Sequence, residues 1–194
     1  MKETLRLVIV MTIFCLVAGF LLAWTNNVTR APIEKARKAE LADALAKVLP
    51  ECDNDVVADA VKIADNGTNW LFYVARQKGV FAGAAFQSRS EHGYGGPIEI
   101  LVGLRSDGTI NSMEVLRADN ETPGLGSKTK EPKFRDQFRD KKAADTRWAA
   151  VTKDGGEIQA ITGATISSRA VTEAVKAGLD AFARHADEIK GDGH

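Results

Sequence analysis

The sequence TGATISSRAVTEAVKAGLDAF, at residues 162–182, decides the class of fold, because it contains the clearest periodic element of the chain. Four large apolar residues recur along it at helical spacing: Val171, Val175, Leu179 and Phe182. Such an apolar stripe is typical of an amphipathic helix that packs on a core. The sequence predicts that this helix begins near Thr165 and runs to about Ile189.

The start of this helix is built from small residues. Gly163 and Ala164 leave little side-chain bulk there, and the free N–H groups and partial positive charge of a helix start suit a phosphate group. Thr165 adds a hydroxyl, which a phosphate at this position would contact by a hydrogen bond or by a covalent bond through the oxygen. The simpler interpretation is that Thr162 or Thr165 only caps the helix. These four residues alone favour the capping interpretation.

Before this motif the pattern changes from helical to strand-like. Four apolar runs are predicted to form two antiparallel hairpins: residues 70–75, 80–86, 98–105 and 109–116. The Asp107-Gly108 pair between the last two runs is a strong turn signal. A short helix is predicted at 132–138 and a short strand at 148–151. Antiparallel strands with helices at both ends indicate an α+β fold rather than a doubly wound sheet.

The N-terminal part is predicted to anchor the chain in a membrane. Residues 7–24 carry no charge, and the uncharged stretch continues to Thr29. As a helix, 18 to 23 residues span roughly 27–35 Å, which is enough for a hydrocarbon core. The alternative is a cleaved signal peptide, whose apolar core is usually about 7–15 residues. Because this run is longer, we favour a retained anchor.

A second helical pattern follows the apolar run. Pro32 suits the first turn of a helix, and Pro50 ends the pattern. This helix is expected to continue out of the membrane and to lead into the domain. The chain is therefore predicted to comprise a transmembrane anchor at 1–29, a helical connector at 30–55 and one compact domain at 56–194.

Composition argues against several other classes of protein. The 26 basic and 26 acidic residues balance, so nothing points to nucleic acid as a partner. The two cysteines, Cys15 and Cys52, form no metal-binding pair, and the three histidines are far apart: His92, His185 and His194. No metal site or Ser–His–Asp arrangement is expected. The segment 124–129 lacks the contiguous Gly-Lys-Ser/Thr of a P-loop, which argues against nucleotide hydrolysis.

Three segments of the chain together resemble one known family. Residues 154–171 (DGGEIQAITGATISSRAV) are similar to the flavin-attachment segment of the FMN-binding domain family. Residues 121–126 (ETPGLG) look like its second signature, and 93–98 (GYGGPI) like its glycine-tyrosine loop. That family includes the G subunit of the Rnf electron transport complex and the C subunit of the sodium-pumping NADH:quinone reductase. The resemblance covers nearly the whole chain.

The resemblance implies a covalent cofactor. FMN is expected as a phosphoester on the hydroxyl of Thr165, in a bond made by a separate flavin transferase. Gln159 stands six positions before Thr165, where the family's transferase signal usually has an acidic residue.

The same resemblance implies roles for other side chains. Thr122 is expected to hydrogen-bond the flavin, Leu125 to pack on its ring and Lys128 to offset negative charge. Tyr94 and Trp148 are candidates for stacking near the flavin, and each fits a core residue equally well. Taken without the family, Lys128 also fits an ordinary surface charge. The implied cofactor-binding set is Tyr94, Glu121, Thr122, Gly124, Leu125, Lys128, Thr162, Gly163, Ala164 and Thr165.

The function implied is that of an electron-transfer subunit in an Rnf-type, ion-translocating ferredoxin:NAD oxidoreductase. Its partners are then the other membrane subunits, and its domain lies on the outer face of the cytoplasmic membrane. Positive charges flank both ends of the apolar run, so charge alone leaves the orientation undecided. Three alternatives remain: a component like the C subunit of a quinone reductase, a free-standing membrane-tethered flavin reductase, and a binding module without a redox role.

Overall fold

The N-terminal element is one long helix, α1, at Lys2–Val48. A computed structural model describes residues 2–65 and 67–191 of the chain. Residues 192–194, which include His194 and end the predicted domain, lie outside the described residues. The prediction that the helix continues from the apolar run toward the domain is confirmed, with Pro32 inside α1 rather than in a first turn. An interior proline removes one backbone hydrogen bond, and helix-favouring residues on both sides, such as Ala31 and Lys35, continue the helix.

The apolar part of α1 meets the requirements for crossing a membrane. Among the described residues, this is the one helix long and apolar enough to do so. Its large apolar side chains between Leu5 and Trp24 are exposed. The hydroxyl of Thr12 donates a hydrogen bond to the carbonyl of Val8 (2.8 Å), which satisfies a polar group that would otherwise be costly in lipid. The chain divides into two compact units between Ala42 and Asp43, and the second unit contains the rest of the fold.

The second unit is built on a five-stranded antiparallel sheet whose strands follow one another in chain order. The strands are β1 (Val61–Asp65), β2 (Thr68–Gln77), β3 (Val80–Ser90), β4 (Ile98–Arg105) and β5 (Ile110–Arg117). The predicted α+β fold is therefore confirmed, and four of the five strands match the predicted runs. The first strand was missed because it is short and buries only Ile63 fully.

The turns between strands have the conformations that their sequences require. Lys78 and Gly79 join β2 to β3 with φ values of 52° and 80°, the pair of positive angles found in a type I′ hairpin turn. Gly108 joins β4 to β5 with φ 77°. The carboxylate of Asp107 accepts hydrogen bonds from the backbone N–H and hydroxyl of Thr109. These turns fix the register that aligns the strands.

Helices cover both faces of the sheet within the second unit. On one face lies α3, at Thr165–Arg184, and a Cβ on its Gly178 would lie 1.9 Å from the ring of Phe86 on β3. On the other face, the end of α1 lies so close to β4 that a Cβ on Gly103 would be 2.1 Å from the carbonyl oxygen of Val48. Asn111 of β5 donates to that same carbonyl (2.8 Å). The sheet thus sets the position of α3, and with it the motif at its start.

Two shorter helices complete the unit: α2 (Pro132–Arg135) and α4 (Ala186–Lys190). A 3-10 turn at Asp136–Phe138 follows α2, so the short helix predicted there is confirmed. The last helix was predicted to continue to about Ile189, which was wrong. The chain leaves helical geometry at His185, whose ring lies 3.4 Å from the carboxylate of Asp65 on β1.

The strand predicted at 148–151 was also wrong. Thr146–Trp148 is a 3-10 turn, capped by the Asp145 side chain, and Val151 makes a single parallel bridge to Ile158. The indole N–H of Trp148 donates to the carbonyl of Lys142 (3.0 Å). The apolar residues of this segment face the core from a turn, which a run of apolar letters does not distinguish from a strand.

Candidate functional site

The start of α3 leaves its backbone donors without a cap. Ala164 is the N-cap residue, and no side chain accepts a capping hydrogen bond there. The interpretation that Thr162 or Thr165 merely caps the helix was therefore wrong. Within residues 2–65 and 67–191, the N–H groups of Thr165, Ile166 and Ser167 have no hydrogen-bond acceptor. Three free N–H groups and the positive end of a 20-residue helix form an anion-binding arrangement.

Four hydroxyl groups lie in the motif, and two of them are already engaged. Ser167 donates to Oε2 of Glu121 (2.7 Å). Ser168 donates to the carbonyl of Ala164 (2.9 Å) and accepts from the N–H of Ile161 (3.0 Å). The hydroxyls of Thr162 and Thr165 make no hydrogen bond to any described residue. Thr165 is half-buried, whereas Thr162 is exposed.

A pocket of about 580 Å³ lies at this helix start. It is lined by Tyr94, Glu121, Thr122, Leu125, Gly126, Lys153, Gly163, Ala164, Thr165, Ile166 and Ser167. A volume of this size is ordinary for a small-molecule or cofactor site. All three of the sequence segments that suggested a flavin site contribute to the lining.

The structure brings seven of the ten predicted site residues together here. They are Tyr94, Glu121, Thr122, Leu125, Gly163, Ala164 and Thr165. Lys128 and Thr162 line a second pocket of about 650 Å³ instead. Gly124 lines neither pocket; its N–H group donates to the hydroxyl of Ser127 (2.9 Å) in a turn. The first pocket is the one that contains the predicted acceptor.

Two aromatic candidates for stacking have opposite surroundings. Tyr94 is 69% exposed and lines the pocket. Trp148 is buried in the core against Phe138 and does not line the pocket, which supports the alternative that it is a core residue. Its apolar surface is used in packing the sheet.

Lys153 is the cation of this pocket, and sequence reasoning missed it. It lies on a 3-10 turn, Thr152–Asp154, and makes no ion pair within the described part of the chain. Arg169 of α3 holds this turn by donating twice to the carboxylate of Asp154 (2.6 and 2.7 Å). The Arg169 guanidinium also keeps the pKa of Asp154 below its usual range. Lys153 and Thr165 are twelve positions apart in sequence, and only the tertiary fold brings them to one pocket.

The lining fits a phosphorylated, flat aromatic ligand. Free N–H groups, an unengaged hydroxyl and the Lys153 ammonium suit a phosphate. The same pocket is also lined by three large apolar side chains that are exposed on the second unit: Tyr94, Leu125 and Ile166. Apolar and aromatic side chains with a few polar groups are the usual lining for an aromatic cofactor. FMN has this combination of a phosphate and a flat ring system.

Two family profiles match the chain. The FMN-binding domain matches residues 93–180, which include every residue that lines the pocket. The RnfG N-terminal region matches residues 1–48, the extent of α1.

Relatives and a solved structure point the same way. The G subunit of an ion-translocating oxidoreductase complex from Methanosarcina acetivorans is 33% identical, over 92% of this chain and 94% of the relative. The G subunit of a proton-translocating ferredoxin:NAD(+) oxidoreductase complex from Clostridium ljungdahlii is 34% identical, over 88% and 86%. The crystal structure of the C subunit of the Na(+)-translocating NADH-quinone reductase from Parabacteroides distasonis superposes with a TM-score of 0.50 and 25% identity, over 70% of each chain.

Proposed function

We propose, from the premise that this chain belongs to the family of G subunits of ion-translocating oxidoreductase complexes, that it is a membrane-anchored electron-transfer protein with FMN as its cofactor. In this role it passes electrons within an Rnf-type ferredoxin:NAD oxidoreductase. The two G-subunit relatives match over 94% and 86% of their length. This favours the G subunit over the C subunit, whose structure aligns with 70% of this chain.

The finer proposal is that FMN is joined by its phosphate to Thr165. The observation that carries it is the combination of an unengaged Thr165 hydroxyl with three uncapped N–H groups in one pocket. Ser167 and Ser168 have committed hydroxyls, and Thr162 lines the other pocket. Thr165 is therefore the one hydroxyl of the motif that is both accessible and beside the anion-binding helix start.

The chain's own residues bind and orient the cofactor. When bound, FMN supplies the electron-accepting and electron-donating ring. The N–H groups of Thr165, Ile166 and Ser167 hold the phosphate by charge-assisted hydrogen bonds. Tyr94 and Leu125 cover apolar ring surface, and Lys153 offsets negative charge in the pocket. A bond to the helix start keeps the cofactor in place through repeated cycles of reduction.

A separate flavin transferase makes the bond, because none of the described residues in the lining is a free base for Thr165. The carboxylate of Glu121 is engaged with Gly95 and Ser167, and no histidine belongs to the lining. A threonine hydroxyl is a weak nucleophile without an adjacent base. Activation of the hydroxyl therefore comes from a second protein.

The partners are the other membrane subunits of the complex, and the second unit lies on the outer face of the cytoplasmic membrane. A long domain after a short N-terminal tail translocates largely regardless of flanking charge. Electrons reach and leave the flavin by way of these neighbouring subunits.

Intact-mass analysis under denaturing conditions tests the proposal. Protein made in a host that has a flavin transferase should carry a mass increment of FMN minus water. Thr165→Val should abolish the increment, because valine keeps the shape and removes the hydroxyl. Thr162→Val is the matched control and should keep the increment. A wild-type chain without the increment, or Thr165→Val protein that retains it, would contradict the assignment.

A further inference from the structure

Three sequence segments meet at one buried carboxylate, that of Glu121. Its Oε1 accepts a hydrogen bond from the backbone N–H of Gly95 (3.2 Å), in the loop at 93–97. Its Oε2 accepts from the hydroxyl of Ser167 (2.7 Å), the third residue of α3. Glu121 itself begins the segment 121–126. The carboxylate thus connects all the chain segments that form the pocket's walls, apart from the turn with Lys153.

The groups around Glu121 stabilise its buried carboxylate. Its residue surface is only 5% exposed, and within the described residues it has no cationic partner. A buried carboxylate needs hydrogen-bond donors to be tolerated, and here a backbone amide and a hydroxyl supply them. The nearby start of α3 adds a favourable partial positive charge.

Gly126 is explained by the space that Glu121 occupies, because a Cβ on Gly126 would lie 1.9 Å from Oε2 of Glu121. A Cβ on Gly93 would first meet the carbonyl oxygen of Gly96, at 2.2 Å, and would also lie 2.9 Å from Oε1 of Glu121. Gly95 has a different reason, since its Cβ would lie 1.8 Å from the carbonyl oxygen of Asn120. The backbone therefore closes around the carboxylate from both the loop at 93–97 and the segment 121–126.

We propose that Glu121 is a positioning residue that assembles the flavin pocket and, by its negative charge, lowers the reduction potential of the flavin. The inference rests on the proposed function above. Tyr94 lies between Gly93 and Gly95 in the loop that Glu121 binds, and Leu125 directly precedes Gly126. The positions of the apolar side chains of Tyr94 and Leu125 therefore depend on the carboxylate. The charge acts because an anion beside the cofactor disfavours the addition of an electron.

This role differs from that of a cofactor ligand. Both oxygens of Glu121 already accept hydrogen bonds from the protein. The phosphate, itself an anion, is held by the N–H groups of α3 and not by a carboxylate. We therefore expect the bonds to Gly95 and Ser167 to form in flavin-free protein as well.

The first arm of the test uses full-length, flavin-free Thr165→Val protein in detergent. Glu121→Gln replaces one acceptor oxygen by a donor amide, so it loses at least one of the two bonds. Hydrogen exchange of the backbone amides at 93–97 should speed up by about tenfold, as expected for the loss of a hydrogen bond to a charged group. Glu51→Gln is the matched control, because Glu51 is exposed and makes no side-chain bond to a described residue. Unchanged exchange in Glu121→Gln protein would overturn the assembling role.

The second arm uses flavin-loaded full-length protein and measures the midpoint potential. Glu121→Gln should raise the potential, whereas Glu51→Gln, at an exposed position outside the pocket, should leave it unchanged. Ser167→Ala removes one of the two bonds to Glu121 and should speed exchange at 93–97. An equal potential in wild-type and Glu121→Gln protein would overturn the electrostatic role. Should Glu121→Gln protein not accumulate, exchange in Ser167→Ala decides the assembling role. Absence of flavin from wild-type protein would instead contradict the proposed function.

Discussion

Lys153 supplies a testable electrostatic contribution at the scale of a single residue. It is the one cation in the lining of the pocket and is free of ion pairs within the described residues. Its exposure means that solvent screens its charge, so an interaction of about 0.2–1 kcal/mol is expected. Lys153→Gln should therefore lower the flavin midpoint potential by roughly 10–40 mV for a one-electron step.

Potentiometric titration of the loaded protein measures this change. Lys176→Gln is the control, because Lys176 is an exposed lysine of α3 that does not line the pocket. It lies eleven positions after Thr165. A rise in potential for Lys153→Gln, or an equal fall for both variants, would contradict the local effect of Lys153.

Individual site residues were predictable to the extent that they lie in contiguous motifs. Thr165, Gly163 and Ala164 were found because a helix start, small residues and a hydroxyl are all visible in one short stretch. Lys153 was missed because an isolated lysine in a turn carries no such signal, whereas Lys128, which lies next to a recognised motif, lines the second pocket. Side-chain direction within a turn depends on tertiary contacts, such as the Arg169–Asp154 pair.

At the scale of the element, the packing of α3 on the sheet depends on Gly178. Alanine at a helix interior normally stabilises by about 1 kcal/mol relative to glycine. Here its Cβ would lie 1.9 Å from the ring of Phe86, which is fully buried and contacts the rings of Trp70 and Phe72. Because the buried ring cannot move away, the cost of overpacking exceeds the gain in helix propensity. Gly178→Ala should therefore lower the free energy of unfolding by about 1–2 kcal/mol.

Denaturant unfolding of the full chain, followed by near-UV circular dichroism, measures this cost. Ala177→Gly, at an exposed neighbouring position, reports helix propensity alone and should cost about 1 kcal/mol. Gly178→Ala protein that is as stable as the wild type would show that Phe86 accommodates the methyl group.

Elements were predictable where local signals were strong. The hairpins were found because their turns require glycine at positive φ, as Gly79 and Gly108 confirm. The break in the last helix was missed because it depends on His185 meeting Asp65, 120 positions away in sequence. The segment at 148–151 was misassigned because apolar residues in a turn and in a strand look alike when a single core buries both.

At the scale of the whole molecule, the chain combines an apolar N-terminal helix with one α+β unit that contains every residue of the pocket. The anchor was predictable from the length of an uncharged run alone. The side of the membrane was not, because basic residues follow the apolar run as well as precede it: Lys2 and Arg6 before it, and Arg30, Lys35, Arg37 and Lys38 after it. The orientation therefore needs a measurement.

The two free cysteines provide that measurement. Cys52 is exposed and comes four residues after the end of α1, while Cys15 lies in the apolar run. With the second unit on the outer face, a membrane-impermeant maleimide should label Cys52 in intact spheroplasts and leave Cys15 untouched, because lipid shields Cys15 from a charged reagent. Cys52→Ser should abolish the labelling seen by mass spectrometry, and Cys15→Ser should not alter it. Labelling that requires permeabilised membranes would place the unit on the cytoplasmic face, where the flavin would meet a different set of redox partners.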